Sequence, residues 1–196
     1  MKIAVFASGN GTNLEALIKA EREERLITGK ITLVVSDKSG AYALKRAERY
    51  GIKTFVLEAQ GFASREEYDE RLIEELKKEK IELVVLAGFM RILSKPFVEA
   101  YDGKILNIHP SKLPAFKGAH AISDAYNDAT VSATGVTVHF VTEKLDAGPM
   151  ILQEEVEITN EDTLTTLEEK IHKVEHKVYP EAVRLVISGH IKKEGG

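Results

Sequence analysis

The sequence contains no cysteine, which removes disulfides, thiolate metal sites and cysteine nucleophiles together. It has no apolar run long enough to cross a bilayer, and the opening stretch turns at Ser8-Gly9, too early for a signal-peptide core. Positive charge is not in excess: 27 Lys and Arg stand against 31 Asp and Glu, a formal net charge of -4. Neither nucleic acid nor a membrane is therefore an expected partner, although a local basic pocket for one phosphate is compatible with this balance. Repeats, low-complexity tracts and an interdomain linker are also missing. What remains is the composition of a folded cytoplasmic enzyme or binding domain, 43% hydrophobic and 30% charged over 196 residues, enough to bury a real core in one domain spanning 1–196.

Short apolar runs alternate with helical periods through the first half. Ile3–Ala7, Ile31–Val35, Thr54–Leu57, Leu83–Ala87 and Lys104–Ile108 read as strands, and the fourth is apolar on both faces, as a central parallel strand requires. Between them lie helices at about Asn13–Arg25, at Tyr42–Tyr50 closed by Gly51, and after Ser64, where Ser64-Arg65-Glu66-Glu67 has the pattern of a capping box. That third helix turns Tyr68, Leu72, Ile73 and Leu76 inward. The order predicts a doubly wound, mostly parallel α/β sheet of Rossmann-like type. Thr134–Thr142 and Met150–Ile158 extend it as antiparallel strands, and a long final helix runs from about Thr163 to Ser188, kinked at Pro180 and ended by Gly189. A nucleotide-type half, about 1–100, is thus followed by a second half, about 101–196.

Ligands of such sheets bind beyond the carboxyl ends of the strands. Ser8–Asn13, Gly88–Leu93, Asn107–Pro114 and the loop near Asp146 are expected to meet there. Ser8-Gly9-Asn10-Gly11-Thr12-Asn13 joins the first strand to the first helix, with Thr12 and Glu15 spaced as a second capping box that makes Thr12 the expected N-cap. Helix-terminal N–H groups and small side chains suit an anion; a plain tight turn is the alternative. A dinucleotide fits poorly, because Leu14 stands where the fingerprint needs its third glycine and Asp37 comes late for a ribose-binding acid. No Walker-type Gly-Lys-Ser/Thr follows either. One terminal phosphate matches the loop better.

Asn107 and His109 are two apart near the end of a strand, so they share a face and could set an amide donor and an imidazole about one carbonyl. Taken alone, a structural histidine fits as well. Leu145-Asp146-Ala147-Gly148-Pro149 reads as a turn, and periodicity does not bring Asp146 to His109. His172 and His176 are spaced for a metal, but no glutamate-containing zinc motif surrounds them and Lys170, Lys173 and Lys177 mark a basic solvated face, so no metal is expected. Ile171, Val174, Glu175 and Val178 form one helical stripe, which sets the Glu175 carboxylate at the edge of an apolar face.

Together, Asn107-Ile108-His109-Pro110-Ser111 with Leu113-Pro114, Leu145-Asp146 with Gly148, the Ser8–Leu14 loop, Ala87–Ser94 and Val138–Thr142 resemble the folate-dependent formyltransferases over essentially the full length. The resemblance implies 10-formyltetrahydrofolate as co-substrate and a phosphorylated amine, phosphoribosylglycinamide, as acceptor, with no metal. It implies catalytic roles for Asn107, His109 and Asp146, with Asp146 sustaining the imidazolium of His109. Gly11, Thr12, Asn13 and Glu175 are implied for the ribonucleotide, and Arg65, Met90, Arg91, Ile92, Leu93 and Asn107 for the folate. It further implies a monomer or weak homodimer. His120 and His139 are weaker candidates: Lys117 stands where relatives often have proline near His120, and His139 fits as a packed histidine. Family members acting on tRNA or hydrolysing the folate usually carry an extra domain, which favours small-molecule transfer as the expectation.

Overall fold

Leu83–Leu86 is buried at all four positions because it lies at the middle of a sheet covered on both faces. The computed structural model describes residues 1–193. In chain order its elements are β1 (Lys2–Phe6), α1 (Thr12–Arg22), β2 (Lys30–Ser36), α2 (Tyr42–Arg49), β3 (Lys53–Val56), α3 (Arg65–Lys78), β4 (Leu83–Leu86), α4 (Lys95–Ala100), β5 (Ile105–His109), α5 (Ala121–Asn127), β6 (Ala133–Phe140), β7 (Met150–Glu157) and α6 (Leu164–Ile187). The strands form one sheet in the order β3-β2-β1-β4-β5-β6-β7. β1 to β5 pair parallel, whereas β6 and β7 add antiparallel. The expected architecture is therefore present, including the late antiparallel strands.

Alternation along β1 divides the core. Ile3 and Val5 pack with Leu14, Leu17 and Ile18 of α1, Leu44 of α2 and Ile171, Val178 and Tyr179 of α6. Ala4 and Phe6 face Tyr68, Leu72 and Leu76 of α3 and Phe97 of α4 on the other side. Each fully buried aliphatic or aromatic side chain contributes about 1.5–3 kcal/mol by leaving water. Tyr179, wholly buried, donates its hydroxyl to the carbonyls of Leu86 at 2.7 Å and Leu106 at 3.2 Å, locking α6 onto β4 and β5.

Two local expectations change. Thr12 is not the N-cap of α1: Gly11 takes that place at φ 77, without a side-chain cap. Glu15 is engaged instead by Arg46 of α2 and by Lys19 at 3.3 Å, so the capping box has lost its carboxylate to ion pairs. The final helix has its expected extent: Thr163 caps its start, Pro180 lies within it and Gly189 at φ 74 follows its end. Finally, α4 and α5 are absent from the expected order, since six and seven residues give too few turns for a 3.6-residue period to show. Among the described residues no helix is long and apolar enough to cross a membrane.

Candidate active site

The chain runs from β1 to β2 and β3 on one side of the sheet and from β4 to β5 on the other, so a crevice opens between the carboxyl ends of β1 and β4. Ser8 ties its two walls together. Its N–H donates to the Gly88 carbonyl at 3.0 Å, and its hydroxyl accepts from the Met90 N–H at 2.8 Å. On the outer side, the Gly9 carbonyl accepts from Ala43 N–H at 3.0 Å. A Cβ on Gly11 would lie 2.7 Å from the Ala43 Cβ, so positive φ and close packing on α2 both call for glycine there.

Across the crevice, β5 and the β6–β7 turn bring the sequence-predicted groups into contact. His109 Nδ1 lies 3.6 Å from Asp146 Oδ2, with both residues buried. His109 Nε2 donates to the Phe116 carbonyl at 2.8 Å. A ring protonated at both nitrogens presents a proton to each of these oxygens. Asp146 sits at φ 47 and accepts from the Gly118 N–H at 3.0 Å, a left-handed conformation that Asp tolerates better than most residues. The turn between two late strands thus reaches β5, which periodicity could not foretell.

His139 is the member of this cluster that sequence reasoning left as a packed residue. It pairs with Asn107 across β5 and β6 and is 3% exposed, so packed it is, but its ring is also wired into the site. Its Nδ1 lies 2.9 Å from the Phe140 carbonyl and must donate to it, which leaves Nε2 to accept from Asn107 Nδ2 at 3.3 Å. The same Nε2 is 3.7 Å from Asp146 Oδ1. Burial pushes the His139 pKa below its ordinary value, against the pull of the Phe140 carbonyl and Asp146 and with the help of nearby His109. A neutral ring therefore orients the Asn107 amide.

This shift has a sign. Above about pH 6.5 the ring is neutral folded or unfolded; below it the unfolded chain takes up the proton first, so stability declines until the folded pKa is passed. The urea midpoint of the wild-type protein is expected to fall more steeply between about pH 7 and pH 5 than that of His139→Gln. Parallel pH curves for the two proteins would mean that the ring is not held neutral.

At the same edge of the sheet, after β1, the uncapped start of α1 carries Gly11, Thr12 and Asn13. Asn13 Nδ2 donates to Glu175 Oε2 at 3.0 Å, and the same oxygen is 2.9 Å from His172 Nδ1. Glu175 is buried, while Asn13 Oδ1 is buried without a partner. The hydrogen bond to Glu175 raises the His172 pKa against the effect of burial. His172 and His176 stack with centroids 6.5 Å apart, and no group of three or more metal-binding side chains occurs among the described residues. Asp37, weighed as a ribose-binding acid, lines a cleft on the β2–α2 side of Ser8 and Gly9, together with Tyr42 and Glu58.

The residues implied for the folate divide by burial. Met90 and Ile92 are 68% and 57% exposed, whereas Leu93 is buried in the α3–α4 side of the core. Arg91 lies over the Tyr68 ring, 4.4 Å from its centroid. Arg65 opens α3 half-exposed, 3.6 Å from Glu66. His120 is exposed and immediately precedes α5.

The sequence profile described as formyl transferase matches residues 1–183. The chain belongs to the formyl transferase family. It is 43% identical over 186 residues to phosphoribosylglycinamide formyltransferase of Bacillus subtilis, covering 95% of this chain and 94% of that protein. It is 48% identical over 192 residues to the trifunctional purine biosynthetic protein adenosine-3 of Gallus gallus, covering 98% of this chain but 19% of that longer protein. In three dimensions it matches the crystal structure of glycinamide ribonucleotide transformylase 1 from Symbiobacterium toebii with a TM-score of 0.93, at 43% identity, over 96% of this chain and 88% of that one. Within this formyl transferase, the His139–Asn107 bond is the feature that the sequence signalled least. Its trace was a histidine alternating with Val138 and Phe140 on a strand destined to pair with Asn107.

Proposed function

We propose that the chain transfers the formyl group of 10-formyltetrahydrofolate to the amine of N1-(5-phospho-D-ribosyl)glycinamide, a step of purine biosynthesis. The observation that carries this reading is the contact of buried His139, Asp146 and His109 with half-buried Asn107 at the carboxyl end of β5, on the sheet edge where β1 leads into the uncapped start of α1. Gly11, Thr12 and Asn13 receive the phosphate at the positive end of α1, and Glu175 accepts from the ribose or glycinamide part. Met90 and Ile92 offer apolar surface to the folate, Arg91 and Arg65 offer cations, and Leu93 backs the loop from the core.

In the reaction, the substrate amine attacks the formyl carbon and charge builds on the formyl oxygen. Asn107 donates to that oxyanion from an amide fixed by His139. Protonated His109 stabilises the same charge, its Nε2 exchanging the Phe116 carbonyl for the reacting group. As the bond from carbon to the folate nitrogen breaks, the proton lost by the attacking amine passes to the leaving nitrogen, with Asp146 sustaining the imidazolium. Both nucleophile and leaving group are nitrogens, so an acid–base pair with an amide donor serves the whole sequence. We further propose that this happens in the cytoplasm, in a single domain acting as a monomer or weak homodimer.

The deciding assay follows tetrahydrofolate release from 10-formyltetrahydrofolate with and without phosphoribosylglycinamide. Release only in its presence is expected. Release without it would replace transfer by hydrolysis, and no release with either would leave a binding protein.

A further inference from the structure

Asp69 is a carboxylate on the inward face of α3, 2% exposed, beside Tyr68 and Leu72. A charge in such a place is retained only where partners replace water. Its Oδ2 accepts the Ser94 N–H at 2.5 Å, and that N–H belongs to the residue that precedes α4 and ends the 88–94 loop. Burial pushes the Asp69 pKa up, against the Ser94 bond and the charges of Arg91 and Arg65. Tyr68, whose ring Arg91 covers, is its neighbour on α3.

The far end of the same loop is fixed by Ser8, through Gly88 and Met90. Between these two ties the chain holds Met90 and Ile92 out in water and lays Arg91 on the Tyr68 ring, with its Nε buried and unpartnered. Arg65 is one helical turn before Asp69 on α3. The carboxylate thus joins the helix that carries one guanidinium to the loop that carries the other.

We infer that Asp69 is a positioning residue for the folate carrier: its buried carboxylate pins the Ser94 end of the 88–94 loop and orients Arg91 and Arg65 toward the carrier's anionic tail. This rests on the proposed folate site. It assigns Asp69 no contact with either substrate; it acts through the loop and the two arginines.

Two variants separate the parts of this role. Asn at position 69 keeps an oxygen for the Ser94 N–H but removes the charge, whereas Leu removes both. Asp69→Asn is expected to raise the KM for 10-formyltetrahydrofolate about tenfold, as loss of one charge-assisted interaction does, with kcat and the ribonucleotide KM within about twofold. Asp69→Leu is expected to raise the folate KM further and to lower the melting temperature. A purely structural carboxylate would instead shift both KM values and kcat together, or leave the folate KM of the Asn variant unchanged; either result overturns the assignment. Calorimetric titration of wild type and Asp69→Asn with tetrahydrofolate, the carrier without its formyl group, tests the clamp apart from the reaction. If wild type binds tetrahydrofolate without transferring a formyl group, the proposed reaction fails while a weakened Asn variant still supports Asp69; equal affinities refute it.

Discussion

His109→Ala is expected to lower kcat by about 10²–10⁴-fold while leaving both KM values within a fewfold, because general acid–base groups contribute that much to a transition state and little to ground-state binding. The ring is nearly enclosed, with Asp146 at 3.6 Å on one nitrogen and the Phe116 carbonyl at 2.8 Å on the other. Alanine leaves the Asp146 carboxylate with its Gly118 N–H, so the turn keeps an anchor and the fold persists. Single-turnover kinetics at saturating substrates, with a thermal melt beside them, make the measurement. A chemical step slowed less than tenfold would remove His109 from the mechanism. Because the pair is proposed to act as a unit, adding Asp146→Ala to His109→Ala should cost far less than the product of the two single losses.

How much of this was legible beforehand follows from the distances involved. Strands buried on both faces announce themselves as apolar runs, hence the reading of Leu83–Ala87. The two-residue spacing of Asn107 and His109 guarantees a common face on any extended chain. The contact between His109 and Asp146 depends instead on how β6 and β7 add to β5, for which no local pattern exists; family resemblance supplied it. Thr12 misled because capping propensity is weak beside an ion pair, and Arg46, 31 positions beyond Glu15, recruits the carboxylate. Asp69 had a readable trace. With Leu72, Ile73 and Leu76 it makes an i, i+3, i+4, i+7 stripe, the same placement of a carboxylate on an apolar face that singled out Glu175. It was hidden among the five glutamates of α3, most of which face water.

Gly148→Ala should damage stability and turnover together, and the geometry of the β6–β7 neck says why. A Cβ at this position would fall onto the Phe140 carbonyl oxygen, 2.8 Å from the carbonyl carbon and 3.3 Å from the Thr142 side chain. Phe140 N–H already donates to the Pro149 carbonyl at 2.9 Å, holding the two strands at closest approach. Backbone cannot swing aside as a side chain does, so the neck must open to admit the methyl, at a cost of about 1–3 kcal/mol. Asp146 stands two residues away at a left-handed φ, and opening the neck draws its carboxylate from His109, His139 and the Gly118 N–H. The expected result is a lowered urea midpoint and a kcat reduced toward that of Asp146→Asn, with the ribonucleotide KM little changed. Gly40→Ala is the control: nothing lies within 4 Å of its Cβ position, so its stability should stay within about 0.5 kcal/mol of wild type. If Gly148→Ala lost stability but kept its kcat, the neck would not be what holds Asp146 at the imidazole, and the glycine of the Leu-Asp-x-Gly segment would serve the fold alone.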